Sequence, residues 1–382
     1  MNEIENKRVL NIAMIGHKHM PSREGGIEVV VEELSIRMVQ IGHNVSVYNR
    51  RGHHISGKEY DNKLQKNNYY RGVRIITVPT IEYRGWAALT SSFCATIKAI
   101  FRHYDVIHYH AEGPAAMLVI PHLFGIRTIV TIHGLDWKRA KWSGLATKYL
   151  RNGERITAKY ADEVIVLSKN VQQYFKDTYG RDVTYIPNGV DKPEIREAKI
   201  IKEKWKLEKD SYILFLGRIV PEKGLQYLID AYRQVDTLKR LVIAGGASDT
   251  SEFMQDIMQK VKDDNRVIFT GFVQGKELQE LYSNAYLYVL PSDLEGMPLS
   301  LLEAMSYGNC CVVSDIPECS EVVEDKAVIF KKSNIEDLKT KLTQLCNNPT
   351  IVKQYKNGLT DYIIQKYKWC DAVEQTLNLY KK

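Results

Sequence analysis

The sequence predicts an α/β fold built from two parallel, doubly wound sheets, one in each half of the chain. Short apolar runs alternate with segments of helical spacing, a pattern typical of parallel strands joined by crossover helices. The alternation stops in a charged, strand-poor segment at residues 191–210 and then starts again. A chain of 382 residues is long enough for two domains of moderate size. We therefore predict two Rossmann-like domains, at residues 1–190 and 191–364.

Each predicted strand is a short apolar run. In the first half the runs lie at 9–15, 44–48, 73–78, 106–109, 128–132, 164–167 and 183–186. In the second half they lie at 212–216, 241–244, 267–269, 285–290, 311–313 and 327–330. Residues 27–41 have the pattern of an amphipathic helix. The tail from about residue 351 also has helical spacing and contains Trp369.

The composition, 44% hydrophobic and 26% charged residues, is ordinary for a soluble globular protein. No apolar run reaches the length of a membrane span, and the polar first residues do not look like a signal peptide. The six cysteines are scattered and include no Cys-x-x-Cys pair, which is typical of reduced thiols in a cytosolic protein. We therefore predict a cytoplasmic location.

The net charge of +7 is unevenly distributed. Residues 1–190 hold 26 Lys and Arg against 17 Asp and Glu, a net charge of +9, whereas the remainder has a net charge of −2. This imbalance indicates that the first half meets an anionic partner. The sequence contains no recognised nucleic-acid-binding motif, so we expect no nucleic acid and favour an anionic membrane surface or a pyrophosphate-bearing lipid.

The strongest site pattern lies at residues 291–305, directly after a predicted strand. It reads Pro-Ser-Asp-Leu-Glu-Gly-Met-Pro-Leu-Ser-Leu-Leu-Glu-Ala-Met. Helical spacing begins at Leu299, and Pro298 suits the first helical turn because its missing N–H costs nothing there. The free N–H groups of such a helix start favour an anion or a polyol. Glu295 and Glu303 flank this position, and each carboxylate can accept paired hydrogen bonds from vicinal sugar hydroxyls.

A second pattern follows the first strand of the second half. It reads Gly-Arg-Ile-Val-Pro-Glu-Lys-Gly from Gly217 to Gly224. Arg218 and Lys223 therefore stand at a strand's carboxyl end, the edge at which open α/β sheets bind ligands. Arginine offers a fork to phosphate oxygens and lysine a point charge. The segment is not a Walker loop, because the Gly-Lys-Ser/Thr ending is missing. A solvated basic turn is the simpler alternative.

These two segments resemble the signatures of the retaining GT-B glycosyltransferases of family 4. Glu-Gly-x-Pro with Leu-Glu-Ala-Met, and Gly-Arg-x4-Lys-Gly, carry the resemblance. It implies two domains facing across a cleft, with a nucleotide-sugar donor held mainly by the second. It also implies that Arg218 and Lys223 stabilise the leaving diphosphate, that Glu295 fixes the sugar hydroxyls, and that Glu303 binds the ribose. Further donor contacts are expected from Gly217, Gly296, Met297, Pro298 and Leu299.

The first half carries looser matches to the same family. Gly25 and Gly26 precede the predicted helix, and the resemblance implies that this loop meets the donor phosphate. His133 resembles the family histidine that contacts the donor sugar or supports the reacting oxygen, and an imidazole could also take a proton. A structural histidine is the alternative. Glu112 and Asp136 are candidates for contacts with the acceptor.

Weaker cues also resemble the family. Gly245 ends a strand with backbone that can approach a ligand, Val273 lies in a loop like the one that borders the nucleotide base, and Asn188 lies in a turn like the family's interdomain turn. Helical residues from about 365 to 382 resemble the last helix of such proteins, which crosses back to the first domain.

We expect neither a metal nor another cofactor. Three histidine pairs could suggest a metal, but no third ligand stands at suitable spacing, and no Asp-x-Asp motif follows a strand. The pairs are His17 with His19, His53 with His54, and His108 with His110. The resemblance implies that the paired cations replace the metal, and that retention proceeds by same-face attack without a protein nucleophile.

The acceptor is expected to be a lipid-linked saccharide. The segment from His133 to Trp142 resembles bacterial transferases that build capsule, O-antigen or exopolysaccharide repeat units on lipid carriers. An apolar helix pattern follows Trp86, and residues 138–159 hold seven cations beside Trp137 and Trp142, a combination that suits peripheral contact with the inner face of the membrane. A uridine donor is favoured because it is common in the family, with thymidine and guanosine open.

Two other functional classes fit parts of the pattern. A nucleotide-sugar 2-epimerase would share the fold but would need a different set of acids. A catalytically silent homologue acting as a scaffold would not need Arg218, Lys223, Glu295 and Glu303 together. Release of nucleoside diphosphate that depends on the donor would separate an enzyme from a scaffold.

Overall fold

The computed structural model describes residues 8–52, 68–83, 86–139, 142–246 and 251–381. The chain divides into two compact units. The first consists of Met1–Asn188 and Trp369–Lys382, and the second of Gly189–Lys368. The sequence placed the corresponding boundaries at residues 190 and 364.

The strands of the first unit are short and largely buried. They are β1 Asn11–Ile15, β2 Asn44–Arg50, β3 Tyr69–Tyr70, β4 Val73–Val78, β5 Val106–His110, β6 Arg127–Ile132, β7 Glu163–Val166 and β8 Thr184–Tyr185. Among the described residues they form one sheet in the order β3-β4-β2-β1-β5-β6-β7-β8, parallel except between β3 and β4. The order reverses between β1 and β5, and such a switch point is where open α/β sheets bind ligands.

Helices cover the first sheet. They are Gly26–Gln40, Trp86–Ile100, Glu112–Ala115, Val119–Leu123, Gly144–Tyr160, Lys169–Tyr179 and Trp369–Lys381, with a 3₁₀ turn at Asp136–Lys138. The core includes the fully buried Tyr109, Val130 and Phe175. Phe175 illustrates how a helix packs on this sheet. It lies on the apolar face of its helix, and burial of that face holds the helix against the sheet.

The last helix belongs to the first unit because its contacts lie there. The Arg37 guanidinium lies 5.7 Å from the centre of the Trp369 ring. Arg127 donates two hydrogen bonds, of 3.1 and 2.8 Å, to the carbonyl oxygen of Leu379. The buried Tyr380 bonds to His108, with 2.6 Å between the hydroxyl oxygen and Nδ1. The last helix thus packs on the first unit.

The second unit contains a smaller sheet. Its strands are β9 Tyr212–Leu216, β10 Arg240–Ala244, β11 Val267–Gly271, β12 Leu287–Leu290, β13 Cys310–Ser314 and β14 Val328–Phe330. They are all parallel and lie in the order β11-β10-β9-β12-β13-β14 within the described part of the chain. This is the doubly wound order 3-2-1-4-5-6, and its switch point lies between β9 and β12.

Helices also flank the second sheet. They are Ile200–Trp205, Leu225–Tyr232, Ser251–Lys260, Gly275–Asn284, Leu299–Ser306, Pro317–Val323, Ile335–Asn347, Pro349–Lys356 and Leu359–Lys366, with a 3₁₀ turn at Pro221–Lys223. Phe215, Ile229, Val289 and Phe330 lie in the buried core. No helix in the described ranges is both long enough and apolar enough to cross a membrane.

The predicted fold class is confirmed. Every predicted strand is present, with ends displaced by at most two residues. The two-residue strand Tyr69–Tyr70 was missed, because so short a run has no periodicity to detect. The helix predicted at 27–41 spans Gly26–Gln40. The sequence predicted that Pro298 lies in the first turn of the helix Leu299–Ser306. It is instead the N-cap of that helix, with φ of −76° and ψ of 102°.

Candidate active site

The loops that follow β9 and β12 meet at the switch point of the second sheet. Gly224 permits the contact: its φ of +68° is left-handed, and an added Cβ would lie 1.9 Å from the carbonyl oxygen of Pro291. The backbone N–H of Asp293 donates to the carbonyl oxygen of Glu222 at 2.9 Å. The Tyr227 hydroxyl donates to Oδ2 of Asp293 at 2.9 Å. The two predicted motifs are therefore held side by side.

This contact brings Lys223 and Glu295 together. Nζ of Lys223 lies 2.6 Å from Oε1 of Glu295, and only 15% and 9% of the two side chains are exposed. The Ser292 hydroxyl donates to the same Oε1 at 2.7 Å. The other carboxylate oxygen, Oε2, is not buried and has no hydrogen-bond partner among the described residues. One oxygen of Glu295 is thus used for its orientation while the other can receive a ligand.

Arg218 supplies a second cation at the same edge. It directly follows Gly217, whose added Cβ would lie 3.9 Å from Cε of Lys223, so the lysine stem lies over this glycine. The Arg218 side chain is partly exposed and makes no hydrogen bond or ion pair with any residue that the structure describes. Its five N–H donors therefore remain available to an anion.

Two tyrosines bond to the helix after β12, and one of them bonds to Glu303. The Tyr282 hydroxyl donates to Oε2 of Glu303 at 2.9 Å, and the Tyr288 hydroxyl donates to Oγ of Ser300 at 2.9 Å. Burial, followed by the nearby carboxylates of Glu295 and Glu303 among smaller causes, raises the pKa of Tyr288 well above its usual value. Both carboxylates therefore lie close enough to this hydroxyl to oppose its ionisation.

Glycines bring the neighbouring loops to the same edge. Gly245 has φ of +136°, and an added Cβ would lie 1.9 Å from the carbonyl oxygen of Gly217. The N–H of Gly245 donates to the carbonyl oxygen of Gly271 at 2.9 Å. Val273 follows two residues later and is 8% exposed. The loops after β9, β10 and β11 thus adjoin one another beside the cation pair.

The start of the helix Leu299–Ser306 completes this edge. Gly296, Met297 and Pro298 are buried, and Leu299 is partly exposed. The N–H groups of Leu301 and Leu302 both bond to the carbonyl oxygen of Pro298, at 3.0 and 3.2 Å. The first N–H groups of the helix consequently have no partner within it, and they favour negative charge.

In the first unit, the carboxylate of Glu28 packs against the predicted glycine loop. Gly25 is the N-cap of the first helix, which begins at Gly26. Oε1 of Glu28 accepts the N–H of Lys18 at 2.9 Å, and an added Cβ on Gly25 would lie 2.4 Å from Oε2. The glycine thus leaves room for a buried carboxylate, a role that the sequence did not reveal.

His133, directly after β6, belongs to a group of three buried imidazoles, of which the other two lie in β5. His110 Nδ1 lies 3.0 Å from His133 Nε2, and the rings of His108 and His110 stack with centroids 4.3 Å apart. His108 Nε2 bonds to Oγ1 of Thr131 at 2.7 Å. The sequence showed the His-x-His pair but not its relation to His133, because the two strands pair in register only in the fold.

Glu112 and Asp136 also lie close together. Oε1 of Glu112 accepts the N–H of Asp136 at 3.1 Å, and Oδ1 of Asp136 lies 2.8 Å from Nε of Arg139. Glu112 is fully buried, and its Oε2 has no partner in the described parts of the chain. Burial, and then the charge of Asp136, raises the pKa of Glu112 well above its usual value.

A third acid of the first unit, Glu154, was not predicted. It is fully buried and accepts hydrogen bonds from Trp137 Nε1 at 2.9 Å and from the Tyr174 hydroxyl at 2.8 Å. It lies on the helix Gly144–Tyr160, and nothing in its sequence neighbourhood distinguishes it from a solvated acid.

Within the described residues, no group of three or more His, Cys, Asp or Glu could hold a metal ion. His53 and His54 lie outside those residues.

Comparison with known proteins assigns the family. The model of Glycosyltransferase Family 4 matches residues 24–192, and that of Glycosyl transferases group 1 matches residues 197–362. The fold is similar to that of sucrose-phosphate synthase from Thermosynechococcus elongatus, with a TM-score of 0.82 and 19% identity over 97% of this chain and 98% of the other. The chain belongs to the GT-B glycosyltransferases.

Three further similar proteins are two relatives in sequence and one solved structure. This glycosyltransferase is 27% identical to an uncharacterized glycosyltransferase of Methanocaldococcus jannaschii, over 97% of this chain and 98% of that one. It is 25% identical to the O-antigen chain mannosyltransferase RfbU of Salmonella typhimurium, over 63% and 66% of the two chains. It also shares the fold of Anabaena HepE in complex with UDP-glucose, with a TM-score of 0.78 and 16% identity over 97% and 99%.

Proposed function

We propose that this glycosyltransferase moves a sugar, with retention of configuration, from a nucleotide-sugar donor to a lipid-linked saccharide without a metal ion. The observation that carries the proposal is the juxtaposition of Lys223 and Glu295 beside Arg218 at the switch point of the second sheet. A UDP-sugar is the first donor to test, because HepE, which has the same fold, binds UDP-glucose.

The three groups divide the donor between them. Arg218 and Lys223 bind the diphosphate, since their N–H groups not engaged with Glu295 are free for phosphate oxygens. Glu295 binds sugar hydroxyls through Oε2, because Lys223 and Ser292 occupy Oε1. Glu303 binds the ribose hydroxyls, and its bond from Tyr282 fixes the carboxylate for that contact. Gly217 and Gly245 have no side chains, so the nucleotide can approach the backbone there.

The reaction needs no protein nucleophile. The bond between the anomeric carbon and the diphosphate oxygen breaks, and its electron pair leaves with the diphosphate. The acceptor hydroxyl oxygen bonds to the anomeric carbon on the face from which the diphosphate departs, and its proton passes to that departing oxygen. Arg218 and Lys223 stabilise the charge that develops on the diphosphate, and a preorganised group of this kind lowers a barrier by about 3 kcal/mol.

The family resemblance assigns further contacts to residues of the first unit. It assigns contact with the donor phosphate to the loop at Gly25 and Gly26, and a hydrogen bond to the reacting sugar to His133. Glu112 and Asp136 bind the acceptor. Burial raises the pKa of Glu112 and so favours its protonated form, which can donate a hydrogen bond through the carboxyl oxygen Oε2, an atom that is otherwise unpaired among the described residues.

An exposed apolar surface on the first unit supports a lipid-linked acceptor. The helix Trp86–Ile100 buries its small residues Ser92, Ala95 and Ala99 but leaves Trp86 53% and Phe93 47% exposed. This helix packs against the helix Val119–Leu123. The surface consists of Trp86, Phe93, Phe101, Leu123 and Phe124.

The orientation of these side chains favours a lipid bilayer as the occupant. Large apolar groups face outward although small ones are available, which is the reverse of an ordinary amphipathic helix. Lys98 is exposed on the same helix, and the excess of basic residues in the first half adds attraction to anionic headgroups. The enzyme would therefore work at the cytoplasmic face of the membrane in cell-surface polysaccharide synthesis, a role that the mannosyltransferase relative supports.

A thermal-shift series against UDP, dTDP, GDP and ADP, each with its common sugars, tests the donor site. We expect one nucleotide series to raise the Tm, because a ligand that binds only the native state stabilises it by mass action. The shift should disappear in Arg218→Ala and persist in Lys276→Ala, which removes an exposed cation from the same unit. Transfer to a lipid-linked acceptor, followed by NMR of the new anomeric proton, then tests retention. No shift with any nucleotide would favour the catalytically silent alternative.

A further inference from the structure

The three buried imidazoles of the first unit restrict where their protons lie. His108 and His110 are fully buried, and His133 is 8% exposed. Burial lowers the pKa of His108 to about 3 and that of His133 to about 4, and it lowers the pKa of His110 well below its usual value. All three rings are therefore neutral near pH 7, and each carries one ring proton.

The 3.0 Å contact between His110 Nδ1 and His133 Nε2 can contain only one of these protons. One nitrogen must donate and the other accept. If His110 donates, the proton of His133 lies on Nδ1. If His133 donates, the proton of His110 lies on Nε2. The environment of His110 Nε2 decides between the two arrangements.

His110 Nε2 is buried and has no hydrogen-bond partner in the described residues. A buried N–H without an acceptor is rarer in proteins than an acceptor that lacks a donor. The buried Nδ1 of His17 shows the same preference nearby. Asn49 must present its oxygen to His17 Nε2, because its amide nitrogen donates to the carbonyl oxygen of Met20. His17 Nε2 is thus the donor, and its unpartnered Nδ1 is an acceptor.

We propose that His110 is a positioning residue, which donates from Nδ1 to His133 Nε2 and thereby holds His133 as the tautomer with its proton on Nδ1. The Nδ1 atom of His133 is not buried and bonds to no described residue, so it is the nitrogen that a ligand can reach. His133 then presents a hydrogen-bond donor there and cannot accept a proton at that atom. This differs from the sequence-based expectation that His133 could act as a base.

The chemical consequence rests on the proposed function. A neutral N–H donor can stabilise negative charge on an oxygen of the donor sugar or of the departing diphosphate, whereas the opposite tautomer would place a lone pair there. Loss of the hydrogen bond from His110 would leave both tautomers of His133 accessible. The tautomer itself is a property of the free protein and does not depend on any substrate.

Two-bond ¹H–¹⁵N spectra of the full chain, labelled with ¹⁵N-histidine, test the assignment at pH 7.5. The His133→Gln variant identifies the His133 signals. We expect a protonated Nδ1 and an unprotonated Nε2 for His133 in the wild type. In His110→Phe, which keeps a ring for stacking but has no donor, we expect a substantial fraction of the opposite tautomer. In His110→Asn, whose amide nitrogen lies near the position of Nδ1, the wild-type pattern should return.

A proton on Nε2 of His133 in the wild type would overturn the proposal, and this spectrum decides even if a variant does not fold. An unchanged tautomer in folded His110→Phe would overturn it as well. For an active enzyme, we expect His110→Phe to lower kcat at least tenfold with little change in KM for the donor, and His110→Asn to recover most of the loss. A wild type with the expected tautomer but no transfer activity would refute the proposed function and leave the tautomer assignment intact.

Discussion

Nζ of Lys223 lies 2.6 Å from Oε1 of Glu295, and this ion pair joins the loops that follow two adjacent parallel strands. Both side chains are largely removed from water, so neither can lose its partner without consequence. In the proposed function, the lysine binds the donor diphosphate and the acid uses its other oxygen for the sugar. The pair therefore couples the geometry of the site to the stability of the second unit.

The two roles of Glu295 can be separated by substitution. Glu295→Gln should lower transfer at least a hundredfold, because an amide is a weaker acceptor for sugar hydroxyls. Glu295→Ala should lower transfer similarly and also destabilise the protein, by up to about 3 kcal/mol, because Lys223 loses its counter-ion. Denaturation in urea and initial-rate assays measure the two effects.

A double variant provides the control for this prediction. Adding Lys223→Met to Glu295→Ala removes the unpaired cation, so much of the lost stability should return while activity stays low. A double variant that is less stable than Glu295→Ala, or a Glu295→Gln enzyme with near-normal turnover, would contradict the roles assigned to the pair.

Gly224 should tolerate no side chain. Gly224→Ala places a Cβ 1.9 Å from a backbone carbonyl oxygen, at a left-handed φ of +68°. Gly275→Ala is the matched control in the same unit, since its φ is +57° but no atom lies within 4 Å of the added Cβ. We expect the control to cost about 1 kcal/mol and Gly224→Ala about 1–3 kcal/mol more. Equal losses in chemical denaturation would refute the close approach of the two loops.

Glu112 should make stability depend on pH. Burial raises its pKa in the native state well above the ordinary value of 4.5, so above pH 4.5 the unfolded chain loses a proton that the native state keeps. The native state is thus progressively destabilised as the pH rises from 4.5 toward the native pKa, by about 1.4 kcal/mol per pH unit. Glu112→Gln cannot ionise, so its Tm should exceed that of the wild type at pH 7.5 and match it near pH 4.

The exposed acid Glu374 is the matched control for this pH effect, because it lies in the same unit. Glu374→Gln should leave the Tm unchanged at both pH values. A Tm of Glu112→Gln below that of the wild type at pH 7.5 would show that the native state prefers the ionised acid.

The exposed apolar surface should bind anionic bilayers. Leu123 is 77% and Phe124 67% exposed, so replacing both with serine removes membrane contact without opening the core. We expect the double variant to sediment with phosphatidylglycerol-containing vesicles at least tenfold more weakly than the wild type. Leu238→Ser is the control, because this leucine is fully exposed on the second unit. Equal binding by all three proteins would refute the surface.

Transfer should not require a divalent cation. In the proposed mechanism, Arg218 and Lys223 provide the charge that a metal would otherwise supply to the diphosphate. Chelation with EDTA followed by desalting should therefore leave kcat within about twofold. Lys223→Ala should lose activity without recovery on adding Mg²⁺ or Mn²⁺. Activity that disappears with EDTA and returns with either ion would overturn the metal-free mechanism.

The sequence by itself determined the fold class, the strands and the candidate residues of the second unit. Strands and helices follow from local periodicity, and the motifs around Arg218 and Glu295 are contiguous in sequence. The elements and the motifs can therefore be recognised without the tertiary structure. Only the tertiary structure decided the partners: Lys223 on Glu295, Tyr282 on Glu303 and His110 on His133. These contacts join residues 21 to 72 positions apart. They depend on which strands pair and how the helices pack on them, and a single segment of the sequence does not contain that information.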